Sequence, residues 1–178
     1  MTLKTEIKNK FKQTEIGEIP EDWKVRKLGD DADLIRGVSW KKIEESFNGI
    51  PIIGIPNIQR NKISYEIKYK VNKKITKEKI LKEGDILLVG SSGSVKNIGR
   101  SAKVKNLPTE IMSYASFLVK ARPKTLDIEN EYLYFILQSS FINFSECSRR
   151  AADGKFNLQI EDLKIQLIPL PPKPEQER

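Results

Sequence analysis

The chain has 178 residues, of which 38% are hydrophobic and 31% charged, as expected for one folded domain with its own core. It contains no histidine, which excludes histidine general-base catalysis, histidine-activated nucleophiles and nearly all zinc sites. The single cysteine, Cys147, excludes an internal disulfide and is typical of a reducing cytoplasm, and its apolar surroundings indicate a buried structural thiol.

The net charge of +8 is concentrated in the middle of the chain. Residues 31–105 hold 16 basic and 8 acidic side chains, whereas the segments on either side are close to balanced. Such a basic segment favours a nucleic-acid partner, because lysine and arginine neutralise phosphates and release counterions. The alternative is a lysine-rich genome that spreads lysine over any surface, and concentration in one segment argues against it.

The sequence shows no sign of a membrane segment. No apolar run approaches the length of a transmembrane helix, and the first residues lack the apolar core of a signal peptide. We therefore expect a cytoplasmic protein without a membrane partner.

The first third of the chain is predicted to contain short elements. Three apolar residues spaced by four predict a short helix or an arm within residues 1–16. Strands are expected at 25–29 and 34–37, and Ser39 is expected to cap a helix that runs to Phe47. Residues 50–56 are rich in β-formers, and their two prolines favour an edge strand or a strand start.

The polar stretch 57–62 is the first candidate for contact with bases. Its candidates are Asn57, Gln59 and Arg60. Asparagine and glutamine pair with adenine edges and arginine pairs with guanine, which would suit base recognition. The same residue types are also good turn formers, so the two interpretations carry equal weight.

The stretch 84–104 is the one around which the rest of the chain is organised. A Gly-Asp turn leads into the apolar run 86–89, which predicts a buried strand. A loop of glycine, serine and asparagine follows, and 98–104 predicts a second strand. The candidate residues for binding a polyanion are Ser91, Ser92, Ser94, Lys96, Asn97, Arg100 and Lys103.

Between Asp85 and Glu110 the sequence offers no acid to neutralise these cations. The alternative interpretation is an ordinary hairpin with a flexible tip and a solvated basic edge. A phosphate-binding P-loop is excluded, because the glycine and lysine spacing of that motif is missing.

The last third of the chain is expected to supply a strand, a long helix and a second basic loop. Residues 117–122 predict the strand, and 129–147 predict an amphipathic helix whose aromatic residues belong to the core. The polar loop 148–157 follows, and 165–170 predict a final strand. The candidate DNA-contacting residues of the loop are Arg149, Arg150, Lys155 and Asn157.

Four pieces of the sequence, taken together, resemble the target recognition domain of the specificity (S) subunit of type I restriction–modification systems. The pieces are Ile19-Pro20-Glu21-Asp22-Trp23 with Leu28-Gly29-Asp30, Gly84-Asp85-Ile86-Leu87-Leu88 with Ser92-Gly93 and Ile98-Gly99-Arg100, Gly154-Lys155-Phe156-Asn157-Leu158 with Leu163, and Ile168-Pro169-Leu170-Pro171-Pro172 with Glu175-Gln176. Their order and spacing across residues 17–178 make the match specific.

The resemblance implies a mixed α+β domain with a strongly bent, mostly antiparallel sheet flanked by helices. Residues 17–172 would form the DNA target recognition domain, and 173–178 the start of a truncated linker or dimerisation helix. The implied function is sequence-specific binding of double-stranded DNA as half of a specificity subunit. The implied partners are the methyltransferase (M) and restriction (R) subunits, and a second recognition half or a homodimer partner reached through the helix after residue 172.

Two other classes of function compete with DNA recognition. A methyltransferase would need an Asn/Asp-Pro-Pro-Tyr/Phe motif and a glycine-rich cofactor loop, and a nuclease would need an Asp…Glu-x-Lys cluster; the sequence has neither. We therefore expect no catalytic residue, no cofactor and no metal site. An RNA-binding or protein-docking module remains the third interpretation.

Overall fold

A four-stranded antiparallel sheet forms the centre of the computed structural model, which describes residues 10–59 and 61–177. The strands are β1 (Phe11–Thr14), β2 (Gly17–Pro20), β3 (Lys24–Lys27), β4 (Ala32–Arg36), β5 (Glu45–Ile53), β6 (Ile58–Gln59), β7 (Lys62–Ile63), β8 (Tyr69–Val71), β9 (Ile86–Val89), β10 (Ser91–Ser92), β11 (Ser101–Lys103), β12 (Ser113–Tyr114), β13 (Leu118–Pro123), β14 (Ser148–Arg150), β15 (Phe156–Leu158) and β16 (Leu167–Leu170). The α-helices are α1 (Leu28–Asp31), α2 (Asn130–Ile136), α3 (Ile160–Lys164) and α4 (Lys173–Gln176), and 3-10 turns lie at Lys42–Glu44, Ile55–Asn57, Lys77–Lys79 and Val95–Asn97.

The central sheet has the strand order β11-β9-β13-β4, and β9 is buried on both of its faces. Ile86 and Leu88 belong to the core that contains α2, α3 and β16, while Leu87 and Val89 belong to a second core on the other side of the sheet. A strand that is covered on both faces must be apolar at every position, which explains the unbroken run in the sequence. The predicted strand at 86–89 is confirmed.

The two ends of the central sheet differ. At one end, here called the loop end, β4 and β9 leave the sheet after Arg36 and Val89, and β11 and β13 enter it. The opposite end, here called the far end, carries Ile86 and Lys103. At the loop end, a Cβ on Gly37 would lie 2.3 Å from the carbonyl oxygens of Tyr114 and Ala115, so only glycine fits where the chain leaves β4.

The first and last pieces of the family resemblance meet in space, although about 150 residues separate them. Strand β3 pairs with β16, and the indole Nε1 of Trp23 donates a hydrogen bond to Glu175 at 3.1 Å. The side chain of Gln176 is buried and bonds to the backbone of Asp127, Glu129 and Pro171. These contacts attach α4 to the domain. They give a physical reason for the Glu175-Gln176 pair in the last of the four sequence motifs.

The expected mixed α+β, mostly antiparallel fold is confirmed. Within the described residues the β-structure is divided over six small sheets, with only short helices between them. The strands expected near 34–37, 117–122 and 165–170 are confirmed as β4, β13 and β16. None of the helices in the described part of the chain is long and apolar enough to cross a membrane.

The prediction of a helix over 129–147 was wrong, because α2 ends at Ile136. The hydroxyl of Ser139 donates to the carbonyl oxygen of Ile136 at 2.7 Å, and that of Ser145 donates to the Asn143 side chain at 2.7 Å. Short polar side chains that bond to nearby groups compete with helical hydrogen bonds. The turns that replace the helix still bury most of its apolar positions, although Phe141 is partly exposed.

The prediction of a helix from Ser39 to Phe47 was also wrong. Only the 3-10 turn at Lys42–Glu44 forms, and β5 begins directly after it. Strand β5 is the middle strand of the sheet β12-β5-β8, not the edge strand that its prolines indicated. Because β12 pairs only with Ile52 and Ile53, Pro51 has a neighbouring strand on one side only.

Three further expectations are modified by the structure. The strand expected over 98–104 is shorter, since β11 starts at Ser101. The loop expected over 148–157 contains the hairpin β14–β15. Residues 1–9 lie outside the described residues, so most of the N-terminal helix or arm expected over 1–16 lies there too; Phe11 belongs to β1, which pairs with β2.

Candidate nucleic-acid interface

The two basic loops identified in the sequence are joined in one small sheet. Strand β10, at the start of the 90–100 loop, pairs with β15, with Ser91 opposite Asn157. Strand β15 pairs in turn with β14, with Arg149 opposite Asn157. Residues 91–100 and 148–157 therefore form a continuous surface, here called the loop-end surface.

Arg36 connects the loop-end surface to the central sheet. Its guanidinium donates to the carbonyl oxygen of Ser116 at 3.2 Å and to that of Leu158 at 2.6 Å. Burial lowers the pKa of Arg36, but an arginine in such a setting keeps its charge. Arg36 was not among the residues predicted from the sequence; the signal for it was a single arginine at the end of the apolar stretch Leu34-Ile35.

Backbone hydrogen bonds hold the base of the 90–100 loop. The N–H of Gly90 donates to Phe117 at 2.8 Å, and the carbonyl oxygen of Gly90 accepts from Leu158 at 2.9 Å. At the other end of the loop, Gly99 has a positive φ of 82°. A Cβ there would lie 2.3 Å from the Phe144 ring, so glycine is required for both conformation and space.

The tip of the loop presents polar groups to solvent. The hydroxyl of Ser92 accepts hydrogen bonds from the N–H of Ser94 at 3.2 Å and from the side chain of Asn97 at 3.4 Å. Ser94, Asn97 and Lys96 are exposed, whereas Ser91 is buried in the small sheet. The candidates of this loop therefore divide into exposed groups, which a ligand can reach, and Ser91, which supports the strand.

The cations of the loop-end surface also fall into two groups. Among the described residues, Lys96, Arg100 and Arg150 are exposed and form no ion pair, and the Arg150 guanidinium lies 6.0 Å from the Phe156 ring centre. Arg149 instead pairs with Asp162 at 2.7 Å, and Lys155 pairs with Asp153 at 3.0 Å. The nearby lysine ammonium lowers the pKa of Asp153. Three unpaired cations are thus available to phosphates.

The 57–62 stretch does not supply the base contact proposed for Asn57. The Asn57 side chain is buried, accepts from the N–H of Gly54 at 2.9 Å and donates to the carbonyl oxygens of Ser64 and Glu66 at 2.9 and 3.0 Å. All of its hydrogen-bonding groups are used inside the fold, so Asn57 is a turn residue. Gln59 is exposed in β6, and Arg60 lies outside the described residues.

Lys103 also differs from the expectation. Its side chain is only 10% exposed and forms an ion pair with Glu131 of α2, whose pKa the lysine lowers. The expectation that no acid neutralises it was wrong, because the partner lies 28 residues further along the chain. Lys103 also lies at the far end of β11, away from the loop-end surface.

Two side chains that could support chemistry elsewhere, Cys147 and Asp85, are buried in the core. Cys147 is fully buried, and burial raises its pKa to about 11, so the thiol is a poor nucleophile. Within residues 10–59 and 61–177 no group of three acidic or cysteine side chains is arranged to hold a metal ion. The buried Asp85 pairs with Arg122 at 2.5 Å and serves the core.

The amino-acid sequence of the chain is similar to a known protein family and to several of its members. The profile of the family described as "Type I restriction modification DNA specificity domain" matches residues 20–178. The chain is 35% identical to a putative type I restriction enzyme specificity subunit, MjaX, of Methanocaldococcus jannaschii over 94% of this chain. It is 33% identical to the EcoKI specificity subunit of Escherichia coli over 90% of this chain. It spans 40% of the first relative and 35% of the second.

Solved structures share the fold at lower sequence identity. The HsdS subunit from Thermoanaerobacter tengcongensis matches with a TM-score of 0.62 at 22% identity, over 94% of this chain and 37% of that one. A chain from a structural study of complex assembly and conformational transition in the type I R-M system matches with a TM-score of 0.66 at 21% identity, over 90% and 37%.

Proposed function

The chain belongs to the type I restriction modification DNA specificity domain family, and on that basis we propose that it recognises a specific sequence in double-stranded DNA. In this proposal it acts as one recognition domain of a specificity subunit and has no catalytic activity of its own. Methylation and restriction are then carried out by partner M and R subunits, which the recognition domain directs to the target.

The observation that carries this proposal is the joining of two basic loops into the loop-end surface. Lys96, Arg100 and Arg150 offer unpaired cations to phosphates, while the exposed amide of Asn97 and the hydroxyl of Ser94 are suited to base edges. The small sheet and Arg36 hold the bases of the two loops together. The cations and planar polar groups of both loops therefore meet on one surface, which supports recognition of a defined duplex sequence.

The proposal extends to the division of the chain and to its assembly. Residues 17–172 form the recognition domain, and α4 is the beginning of the helix that connects this domain to a second recognition half or a second copy. The chain spans 40% and 35% of the length of the two relatives, and in this proposal one such domain reads half of a two-part target. Linking two such halves can raise avidity by roughly 10²–10⁴ without new contacts.

The test is a binding selection from random duplex DNA with the full chain, followed by sequencing. We expect one enriched motif, bound equally well with and without divalent metal and S-adenosylmethionine. Binding that requires either additive would indicate an enzyme. Preference for RNA over the selected duplex, or no enrichment at all, would overturn the proposal.

Substitutions on the loop-end surface should separate phosphate contacts from base contacts. Lys96→Ala and Arg150→Ala should weaken binding to all duplexes alike and reduce the salt slope by about one for each lost phosphate contact. Asn97→Ala should instead cost roughly 1–3 kcal/mol on the selected sequence alone. Fluorescence anisotropy over a salt series measures both effects.

The matched control is Lys105→Ala. Lys105 is also exposed, but it follows β11 beyond the far end of the central sheet, so binding should not change. If Lys105→Ala weakened binding as much as Lys96→Ala, the domain would be a general electrostatic binder and not a sequence reader.

A further inference from the structure

A second basic surface lies on the β5–β8 pair, and the loop-end surface does not include it. Both Glu45 and Ile50 of β5 pair with Val71, so residues 46–49 bulge out of the strand. The bulge carries Phe47, whose side chain is 88% exposed. A Cβ on Gly49 would lie 2.5 Å from the backbone of Val71, so the bulge depends on glycine at this position. Bulges are over-represented at sheet edges and next to active sites, where they re-aim a side chain.

Lysines lie over the aromatic rings of this surface. The Nζ of Lys70 is 5.2 Å from the centre of the Phe47 ring, and the Nζ of Lys68 is 5.1 Å from that of Tyr69. Trp40 packs against Tyr69 with 5.6 Å between ring centres and donates its Nε1–H to Glu45. Phe47 and Lys70 lie on one face of the edge strand β8, and Tyr69 and Trp40 lie on the face of the buried Val71. We call the five residues Trp40, Phe47, Lys68, Tyr69 and Lys70, which lie along both faces of this edge, the aromatic ledge.

Charge indicates what kind of molecule covers the aromatic ledge. Residues 66–79 contain six lysines and two glutamates. In the described part of the chain neither Lys68 nor Lys70 forms an ion pair. An exposed phenylalanine among unpaired cations fits a partner that combines negative charge with flat apolar surfaces. Nucleic acid has both, in its phosphates and in its sugars and bases.

The position of the aromatic ledge favours the same duplex that the loop-end surface binds. After β4 leaves the loop end, Val38 pairs with Ala115, and Trp40 follows two residues later. On the other side of Ala115, the carbonyl oxygen of Phe117 accepts from Gly90, where the 90–100 loop starts. Segment 115–117 thus lies between the two surfaces, and Phe117 is itself 50% exposed.

We propose that the aromatic ledge makes a second, sequence-independent contact with the duplex, beside the bases that the loop-end surface reads. Lys68 and Lys70 neutralise phosphates, and Phe47 packs against the sugar and base surface of the adjoining groove. This inference rests on the proposed function, since it presumes that the loop-end surface binds duplex DNA. It adds a site that anchors the domain on DNA outside the recognised sequence.

The test compares the full chain with Phe47→Ala and with the double variant Lys68→Ala/Lys70→Ala on two duplexes. One duplex ends at the selected bases, and the other extends about one helical turn on both sides. Both variants should bind the extended duplex about 5–30-fold more weakly and the short duplex almost normally. The double variant should also reduce the salt slope on the extended duplex by about two.

Phe135→Ala and Lys105→Ala serve as controls. Phe135 is 66% exposed on α2, and Lys105 is exposed beyond the far end, so neither substitution should alter binding to either duplex. A photoreactive phenylalanine analogue at position 47 should crosslink to DNA outside the selected bases. Because Phe47 is so exposed, thermal unfolding of its variants should match that of the unmodified chain.

The outcomes separate the two proposals. If the unmodified chain selects no duplex, the proposed function and the aromatic ledge both fail. If the chain binds its selected duplex while both ledge variants behave like the controls on the extended DNA, the ledge proposal alone is overturned. Equal losses on the short and extended duplexes, or crosslinks within the selected bases, would also overturn a sequence-independent contact.

Discussion

At the scale of single residues, the molecule buries several charged and polar side chains in its interior. Asp85 is 1% exposed, accepts two hydrogen bonds from Arg122, and also accepts from the N–H of Lys82. The side chain of Lys120 is buried as well and donates to the carbonyl oxygen of Glu78. Burial lowers the pKa of Lys120. Such groups are tolerated only because each has found a partner.

Cys147 gives a prediction at this scale. At pH 8 its thiol should react slowly with Ellman's reagent in the folded protein and rapidly in denaturant, because it is buried and its pKa is about 11. The ordinary pKa of the thiol is 9.0, so the unfolded chain loses this proton first. The contribution of the protonated thiol to stability is therefore complete below pH 9 and is lost as the pH rises through 11.

The matched control is Cys147→Ala, which should show a smaller loss of stability across that pH range in urea titrations. Labelling of the folded protein as fast as that of the unfolded chain would contradict a buried thiol.

At the scale of elements, the 90–100 loop owes its shape to contacts at its two ends. Gly90 bonds to Phe117 and Leu158, while Gly99 places its backbone against the Phe144 ring. The middle of the loop has few such constraints, and a Cβ on Gly93 would meet nothing within 4 Å. The loop is thus fixed where it joins the sheet and open where it faces solvent.

Gly99→Ala and Gly93→Ala test this division. Gly99→Ala should destabilise the fold by roughly 1–3 kcal/mol, because alanine is strained at positive φ and its methyl group collides with Phe144. Gly93→Ala should change the free energy of unfolding by less than about 0.5 kcal/mol. Urea unfolding monitored by tryptophan fluorescence measures both, and equal effects would mean that the loop is not held at Gly99.

At the scale of the whole molecule, the N-terminal and C-terminal segments close the fold at the far end. Strand β16 pairs with β3, Trp23 bonds to Glu175, and the hydroxyl of Tyr132 donates to the carbonyl oxygen of Pro169 at 2.7 Å. Gln176 links α4 to the segment that precedes α2. The contacts that join the N-terminal and C-terminal segments therefore lie at the opposite end of the central sheet from the proposed DNA contacts.

Gln176→Ala tests whether the contacts at the far end can be weakened without affecting DNA binding. The substitution leaves a backbone N–H and two carbonyl oxygens without their buried partner, which should cost about 1–3 kcal/mol of unfolding free energy. Affinity of the folded protein for its selected duplex should stay the same. Glu177→Ala, at the exposed neighbouring position, should change neither property. A loss of DNA affinity without a loss of stability would contradict the assignment of the two ends.

Local patterns in the sequence were sufficient for several features of this protein. The apolar run of β9 predicted a buried strand, and the structure covers this strand on both faces. The absence of histidine and the basic excess of residues 31–105 restricted the functional classes through composition alone. Four separated motifs sufficed to indicate the family that the profile match then identified.

Only the tertiary structure decided which candidates share a surface and which are used internally. Pairing of β10 with β15 joins segments about 65 residues apart. The buried amide of Asn57 forms hydrogen bonds inside the fold, and Glu131 neutralises Lys103. Each outcome depends on a partner that is distant in sequence, and a local pattern carries no information about such partners. The Phe47 bulge was missed for the same reason, since it depends on the pairing of β5 with β8. The length of α2 was missed for a local reason, because Ser139 and Ser145 form hydrogen bonds to nearby groups that compete with helical ones.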